Sequence, residues 1–284
     1  MASETTNTTL DDLYENIIQE AIFTFQDMGV VRNLVTMYPI TGAGKTVDIP
    51  IYPTVSASAV NEATDLTNTA VSTSNATITV GEKGIMATLT DMARNTASRN
   101  VGADLGRLFG EAIAKKVDVD LVALFSDFAS ANDLGGAGTE LTADLLFKAQ
   151  AILRSGGVPA PYNAVFHPKA LFNLKKTLTQ SGYVASTATS ISALGDDILR
   201  NGYIGTIAGI NVFEDANFTI NAYDDINGAV FHPSAIGLAM KQDFKIESQR
   251  DASLRADELV ATVVYGVGIT KDTNGCTVLV DSAL

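Results

Sequence analysis

The chain has 284 residues, 46% of them apolar, and a formal net charge of −13. That length allows one large domain or two modest ones with a real core; no apolar run reaches the roughly 18 residues of a membrane-spanning helix, and the acidity is unfavourable for gripping nucleic acid through its phosphates. The single cysteine, Cys276, excludes an intrachain disulfide and a cysteine-based zinc site, and a start without basic and apolar stretches lacks a signal peptide, so synthesis in the cytoplasm is expected.

Residues 1–9 are polar. From Leu10 the pattern turns helical: Leu13, Ile17, Ala21 and Phe25 share a face, and Asp11 and Asp12 occupy the first turn, where the helix dipole favours carboxylates. Val47, Ile49 and Ile51 then alternate with Asp48 and Pro50, which is strand periodicity with an edge proline. Residues 56–75 are rich in Ser, Thr, Asn and Ala, and alternation resumes at Ala76, Ile78 and Val80 and continues through Ile85, Ala87 and Leu89. The simplest object is a long two-stranded arm over residues 46–90 with a polar tip near Asn61-Glu62-Ala63-Thr64-Asp65. An isolated hairpin is marginal in water, so the arm is expected to lie on a neighbouring subunit.

The spacing of Leu105, Phe109, Ile113, Val117, Leu121, Leu124 and Phe128 predicts one long helix over residues 99–129, about 45 Å in length. Gly102, Gly106 and Gly110 form a ridge on a neighbouring face. Each costs about 1 kcal/mol relative to Ala inside a helix, so either another backbone approaches there or the helix begins nearer Leu105 or Gly110. A glycine-rich link at 134–138 precedes a second amphipathic helix over 142–155. Next come a short strand at 164–166, a helix through Leu171, Leu174 and Leu178, a Ser/Thr/Gly loop at 181–197, a strand at 206–213 and turn signals at 217–227. The C-terminal part reads as β: Ile246-Glu247, a charged stretch over 248–258, and an apolar strand over 259–269 containing Gly266 and Gly268. Asn274-Gly275 predicts a hairpin turn, with residues 277–280 returning beside that strand.

Both histidines fall in one repeated pentapeptide, AVFHP, at 164–168 and 229–233, each followed two residues on by Ala170 or Ala235. Proline holds the preceding residue extended and suits a first helical turn, so each copy reads as a strand that stops and turns. No partner base, acid or metal set accompanies His167 or His232. An enzyme reading would make one of them a general base in an α/β domain. Gly42-Ala43-Gly44-Lys45-Thr46 is like the end of a phosphate-binding loop, but Pro39 stands where that motif needs glycine and a strand pattern follows where it needs a helix. Asp196-Asp197 and Asp224-Asp225 read as solvated turns, and Asp118 and Asp120 do not face each other on a helix. No catalytic, cofactor-binding or metal residue is expected.

In order, these elements resemble the major capsid proteins of tailed bacteriophages, which share the Hong Kong 97-like fold. The most telling stretch is 228–267: a strand ending in His232-Pro233, then Gly237-Leu238-Ala239-Met240-Lys241, Ile246-Glu247, a charged stretch and Val264-Tyr265-Gly266-Val267. The resemblance implies an α+β fold with an N-terminal arm (1–45), an extended β-hairpin loop (46–90), a peripheral domain carrying a long spine helix (91–138 and 241–284) and an axial domain (139–240). It implies hexamers and pentamers tiling an icosahedral virion shell around double-stranded DNA, held without sequence-specific binding. Its partners would be further copies of itself, a separate scaffolding protein, a portal and decoration or cement proteins, with no membrane. Some relatives cross-link through a lysine on the extended loop; here Lys83 is the only candidate, and no cross-linking geometry is legible. The same fold builds encapsulin-like cellular compartments, which would hold cargo enzymes instead of DNA.

Overall fold

The computed structural model describes residues 29–96, except positions 54, 58, 62–64, 66, 67 and 69, together with 101–180 and 205–283; Ala21, Ile22 and Phe25 are placed ahead of these. The expected first helix otherwise lies outside the described residues, as does the whole of the 181–197 loop, Asp196-Asp197 included. In chain order, a 3-10 turn (Val31–Leu34) leads to β1 (Thr36–Pro39), then β2 (Thr46–Ile51), β3 (Ser74–Thr79) and β4 (Gly81–Thr90). Two helices follow, the short α1 (Asp91–Thr96) and the long α2 (Val101–Val122), which tightens into a 3-10 segment at Ala123–Asp127. Next come β5 (Leu134–Gly135), α3 (Ala143–Ser155), β6 (Tyr162–Phe166), α4 (Pro168–Gln180), β7 (Thr206–Ile207), β8 (Ile210–Glu214) and β9 (Asp225–Phe231). Two long strands, β10 (Ile236–Asp251) and β11 (Ala256–Ile269), precede the closing β12 (Gly275–Asp281).

The strands sort into a four-stranded sheet, β1-β10-β11-β4, a six-stranded sheet, β5-β12-β9-β6-β8-β7, and the separate pair β2-β3. The apolar stripe of α2 lies on one face of the four-stranded sheet, where Phe109, Ile113, Val117 and Leu121 join Leu259, Ala261, Val263 and Tyr265 in one buried cluster. The stripe continues past the helix end through Phe125 and Phe128 onto the back of the six-stranded sheet. There Phe125 packs against Phe231 and Phe218 with ring centroids 5.5 and 6.0 Å apart. The front of that sheet is covered by α3 and α4, whose Leu146, Leu153, Leu171 and Leu174 pack on Phe166, Val230, Val278 and Val280. A sheet buried on both faces needs apolar residues on both, which is why the two AVF runs are continuous rather than alternating.

The two AVFHP copies are neighbours. β6 and β9 run antiparallel with Ala164 opposite Val230 and Val165 opposite Ala229. Each strand ends where its proline starts a helical turn, α4 at Pro168 and a 3-10 turn at Pro233–Ala235.

Three expectations are corrected. First, the returning strand after Asn274-Gly275 does not pair with β11: β12 joins β9 antiparallel and β5 parallel in the other sheet. Gly275 serves close packing rather than a hairpin turn. It is extended (φ −124°), and a Cβ there would lie 2.3 Å from the Phe128 ring. Second, the charged stretch 248–258 is the far end of a long hairpin, with Gln249 opposite Glu258 and Asp251 opposite Ala256. Third, Asp225 is buried; its carboxylate accepts from the Gly138 N–H (2.9 Å) and starts β9.

Helix and sheet are also tied by polar contacts. The Tyr265 hydroxyl donates to Asp120 Oδ2 at 2.7 Å, while Lys116 holds the other oxygen at 2.7 Å. Burial and that carboxylate raise the tyrosine pKa, so it stays a donor. Tyr265→Phe is expected to lower subunit stability by about 1.5–3 kcal/mol, the range for a hydrogen bond to a charged acceptor, with native circular dichroism; urea denaturation measures it.

Candidate assembly surface

The β2-β3 pair projects from the body. Its register places Val47 opposite Ile78 and Ile49 opposite Ala76, so one face carries the apolar residues. Its base is seated on the chain's own four-stranded sheet: Ile78 is 1% exposed and clusters with Val80 and Ala239, with Val47, Ile49 and Val264 packed around them. The seat is a floor of glycines. A Cβ on Gly266 would lie 2.2 Å from the Thr79 carbonyl oxygen, one on Gly268 3.0 Å from Ile78, and one on Gly237 2.7 Å from Ile78. Only residues without a side chain allow the two layers so close.

The expectation that the whole of 46–90 forms one arm lying on another chain is therefore corrected. Residues 81–90 pair with β11 along its length, from Gly81 opposite Tyr265 to Thr90 opposite Ala256. Lys83 lies in that strand, opposite Val263, rather than on the arm. The base of the hairpin has a surface of its own. Beyond it, Tyr52 is 68% exposed and Val60 59% exposed, with Val55 and Val71 similarly open. The tip thus presents apolar side chains that the described residues of its own subunit do not cover.

The link feeding the hairpin is the segment that resembled a phosphate loop. Gly44 has φ +134°, its carbonyl accepts from Lys241 Nζ at 2.6 Å, and the Lys45 carbonyl accepts from the Val80 N–H at 2.8 Å. A strand follows, not a helix N-terminus, so the geometry of phosphate binding is not formed.

A second exposed turn was not recognised in the sequence. At the far end of β10-β11, Asp251 Oδ1 accepts from the Ser253 N–H (2.9 Å), the Ser253 hydroxyl (2.6 Å) and the Leu254 N–H (3.2 Å). These bonds hold its carboxyl below the usual range. The Arg250 guanidinium grips Asp91 bidentately (2.7 and 2.6 Å) and reaches Asp257 at 3.2 Å, fastening this end to the start of α1. Leu254 stands exposed at the turn. Asp-Ala-Ser, an Asx-type turn sequence, was the signal available.

The glycine ridge lies in α2, which begins at Val101, and Gly106 and Gly110 are buried within the subunit itself. The histidines do the same local work. His167 Nδ1 accepts from the Lys169 N–H at 3.1 Å and His232 Nδ1 from the Ser234 N–H at 3.2 Å. Each ring caps the turn that its proline begins. Burial lowers both pKa values, with Lys169 adding to the effect at His167, which keeps Nδ1 free to accept. Among the described residues no group of three His, Cys, Asp or Glu side chains is placed to hold a metal, and no helix is long and apolar enough to cross a membrane. The Cys276 thiol is buried, donates to the Asn132 carbonyl at 2.8 Å and is pushed up to about 12 by burial, so it is not a thiolate nucleophile at neutral pH.

The phage capsid protein family model matches residues 74–279, and the chain belongs to that family. The fold is similar to solved shells. A capsid structure of the cyanophage P-SCSP1u has a TM-score of 0.70 at 18% identity, covering 90% of this chain and 89% of that one. A structure from Mycobacterium phage Che8 has 0.69 at 24%, covering 88% and 90%. The capsid of a native GTA particle has 0.67 at 12%, covering 92% and 90%. No curated protein matches the sequence. The fold is thus α+β and Hong Kong 97-like, and the protein is a bacteriophage capsid shell protein, a structural component.

If the glycine floor seats the hairpin, Gly266→Ala is expected to unseat it. The clash at 2.2 Å is with backbone, and overpacking of this kind costs about 1–3 kcal/mol. Limited proteolysis should then cut within residues 52–73 faster than in the parent, with the circular dichroism of the body retained.

Proposed function

We propose that copies of this chain assemble as hexamers and pentamers into an icosahedral virion shell enclosing double-stranded DNA. The observation that carries the reading is the hairpin: a base locked to its own sheet, and a tip bearing Tyr52, Val55, Val60 and Val71 in the open. A hairpin so isolated gains stability only on another surface, and repeated copies of the subunit supply one. In this reading residues 1–45 are the arm and 46–80 the extended loop. The four-stranded sheet with α1 and α2 is the peripheral domain, and the six-stranded sheet with α3 and α4 is the axial domain, which takes β12 from the C-terminus. The net charge of −13 favours a lining that does not adhere to DNA. A separate scaffold, a portal and decoration proteins are the expected partners, with synthesis in the bacterial cytoplasm. No catalysis is assigned to His167 or His232, because each Nδ1 is used as a cap.

Deleting residues 56–74 tests this. The subunit is expected to fold with native helix and sheet content yet form no shells by electron microscopy when expressed with its scaffold, whereas the intact chain forms uniform particles containing DNA. Normal particles from the deletion would refute the role of the loop, and particles filled with a cargo enzyme would transfer the chain to the compartment class.

A further inference from the structure

Asp118 lies near the C-terminal end of α2 and is fully buried (0% exposed). Its two carboxylate oxygens accept from the Val30 N–H at 3.0 Å and the Arg32 N–H at 3.3 Å. These donors open the 3-10 turn at Val31–Leu34, which has no side-chain cap of its own. A carboxylate from the long helix therefore holds the segment through which the N-terminal arm enters the body. A second interior carboxylate, Asp215, is 4% exposed and its charge is felt at Asp118. One Asp215 oxygen accepts from the Asn217 N–H at 2.8 Å, and the other is buried without a hydrogen-bond partner among the described residues. The two carboxylates repel each other.

His167, Glu214 and Lys169 surround the Asp215 side. Arg32 directs its guanidinium to the Phe25 ring, 4.3 Å from the centroid, and to Asp243 at 3.7 Å. On α2, Asp120 is taken up by Tyr265 and Lys116.

We propose that Asp118 is a proton-operated clamp on the N-terminal segment, holding residues 30–32 firmly when its carboxyl is protonated and loosely when it is ionised, with Asp215 as a like charge that favours the protonated form. Undocking the segment returns Asp118 to water; docking removes it from water and exposes it to Asp215. Both effects penalise the ionised form, while the two N–H bonds favour it. Burial outweighs them, and the Asp118 carboxyl is pushed from 3.8 up to about 6. The docked pKa exceeds the undocked one, so the proton-linked gain in docking is fully present below 3.8 and is lost as pH rises through about 6. His167 has the opposite sign, its contribution being lost as pH falls below 6.5, but it caps its own helix and not this segment. The readout must therefore be local.

Amide hydrogen exchange of Val30 and Arg32 in the full chain, corrected for the intrinsic pH dependence of exchange, provides it. Protection is expected to be about tenfold greater near pH 5 than near pH 8, the factor that a shift from 3.8 to about 6 allows over that interval. Asp118→Asn should abolish this dependence, and Asp215→Asn should reduce it by removing the like charge. Equal protection at the two pH values in the parent chain, or a dependence that survives in Asp118→Asn, overturns the clamp. Should either variant fail to fold, carbon-13 titration of the Asp118 carboxyl in the parent decides: a midpoint near 6 supports the clamp, and one in the ordinary aspartate range overturns it.

Discussion

The structure depends on burying one apolar stripe along α2 and its 3-10 extension. Phe109, Ile113, Val117 and Leu121 face the four-stranded sheet, and Phe125 and Phe128 face the back of the six-stranded sheet, so a single helix joins both. Val31 and Val35 close the same cluster from the N-terminal side. Polar contacts then set the register that burial leaves free. Asp118 binds the entering segment on one side of the helix, and Asp120 binds Tyr265 on the other. Burial by itself is non-directional, and these bonds give the helix one rotation against its neighbours.

Close backbone approach is the second constraint, and it decides where the projecting elements point. The hairpin base reaches the sheet because Gly237, Gly266 and Gly268 leave room for Ile78 and the Thr79 carbonyl. At the other end of the sheet, the bidentate grip of Arg250 on Asp91 ties the strand ends to the start of α1. The glycine seat places rigid geometry at the root of an element whose end is exposed. That suits a subunit whose ends must meet other copies at repeatable angles, because an error in angle at the root grows with the length of the projection.

Acidity is distributed with the same economy. Surface carboxylates keep a concentrated structural protein soluble, while Asp118, Asp215 and Asp225 are interior and each accepts at least one backbone N–H. The histidines, the residues most open to a chemical reading, act as local caps through Nδ1. Their shared AVFHP context is explained by shared mechanics: a strand buried on both faces, then a proline that opens a helical turn.

Local structure was legible from the residues themselves. Period-four spacing placed α2, alternation placed β2 and β3, and an apolar run ending in His-Pro placed the strand stops at 167 and 232. Such patterns arise from near neighbours in the chain, so the sequence alone determined them. It did not determine which strands would pair. Residues 81–90 alternate as an arm would, yet they complete the sheet beside β11. Asn274-Gly275 has the composition of a hairpin turn, yet β12 crosses to β9 because Phe128 lies against Gly275 and the strand is needed in the other sheet. The two AVFHP strands became partners, and Asp118 and Asp215 became neighbours, only through contacts between segments distant in sequence. A strand's period is the same whichever sheet receives it, so pairing was left to tertiary packing.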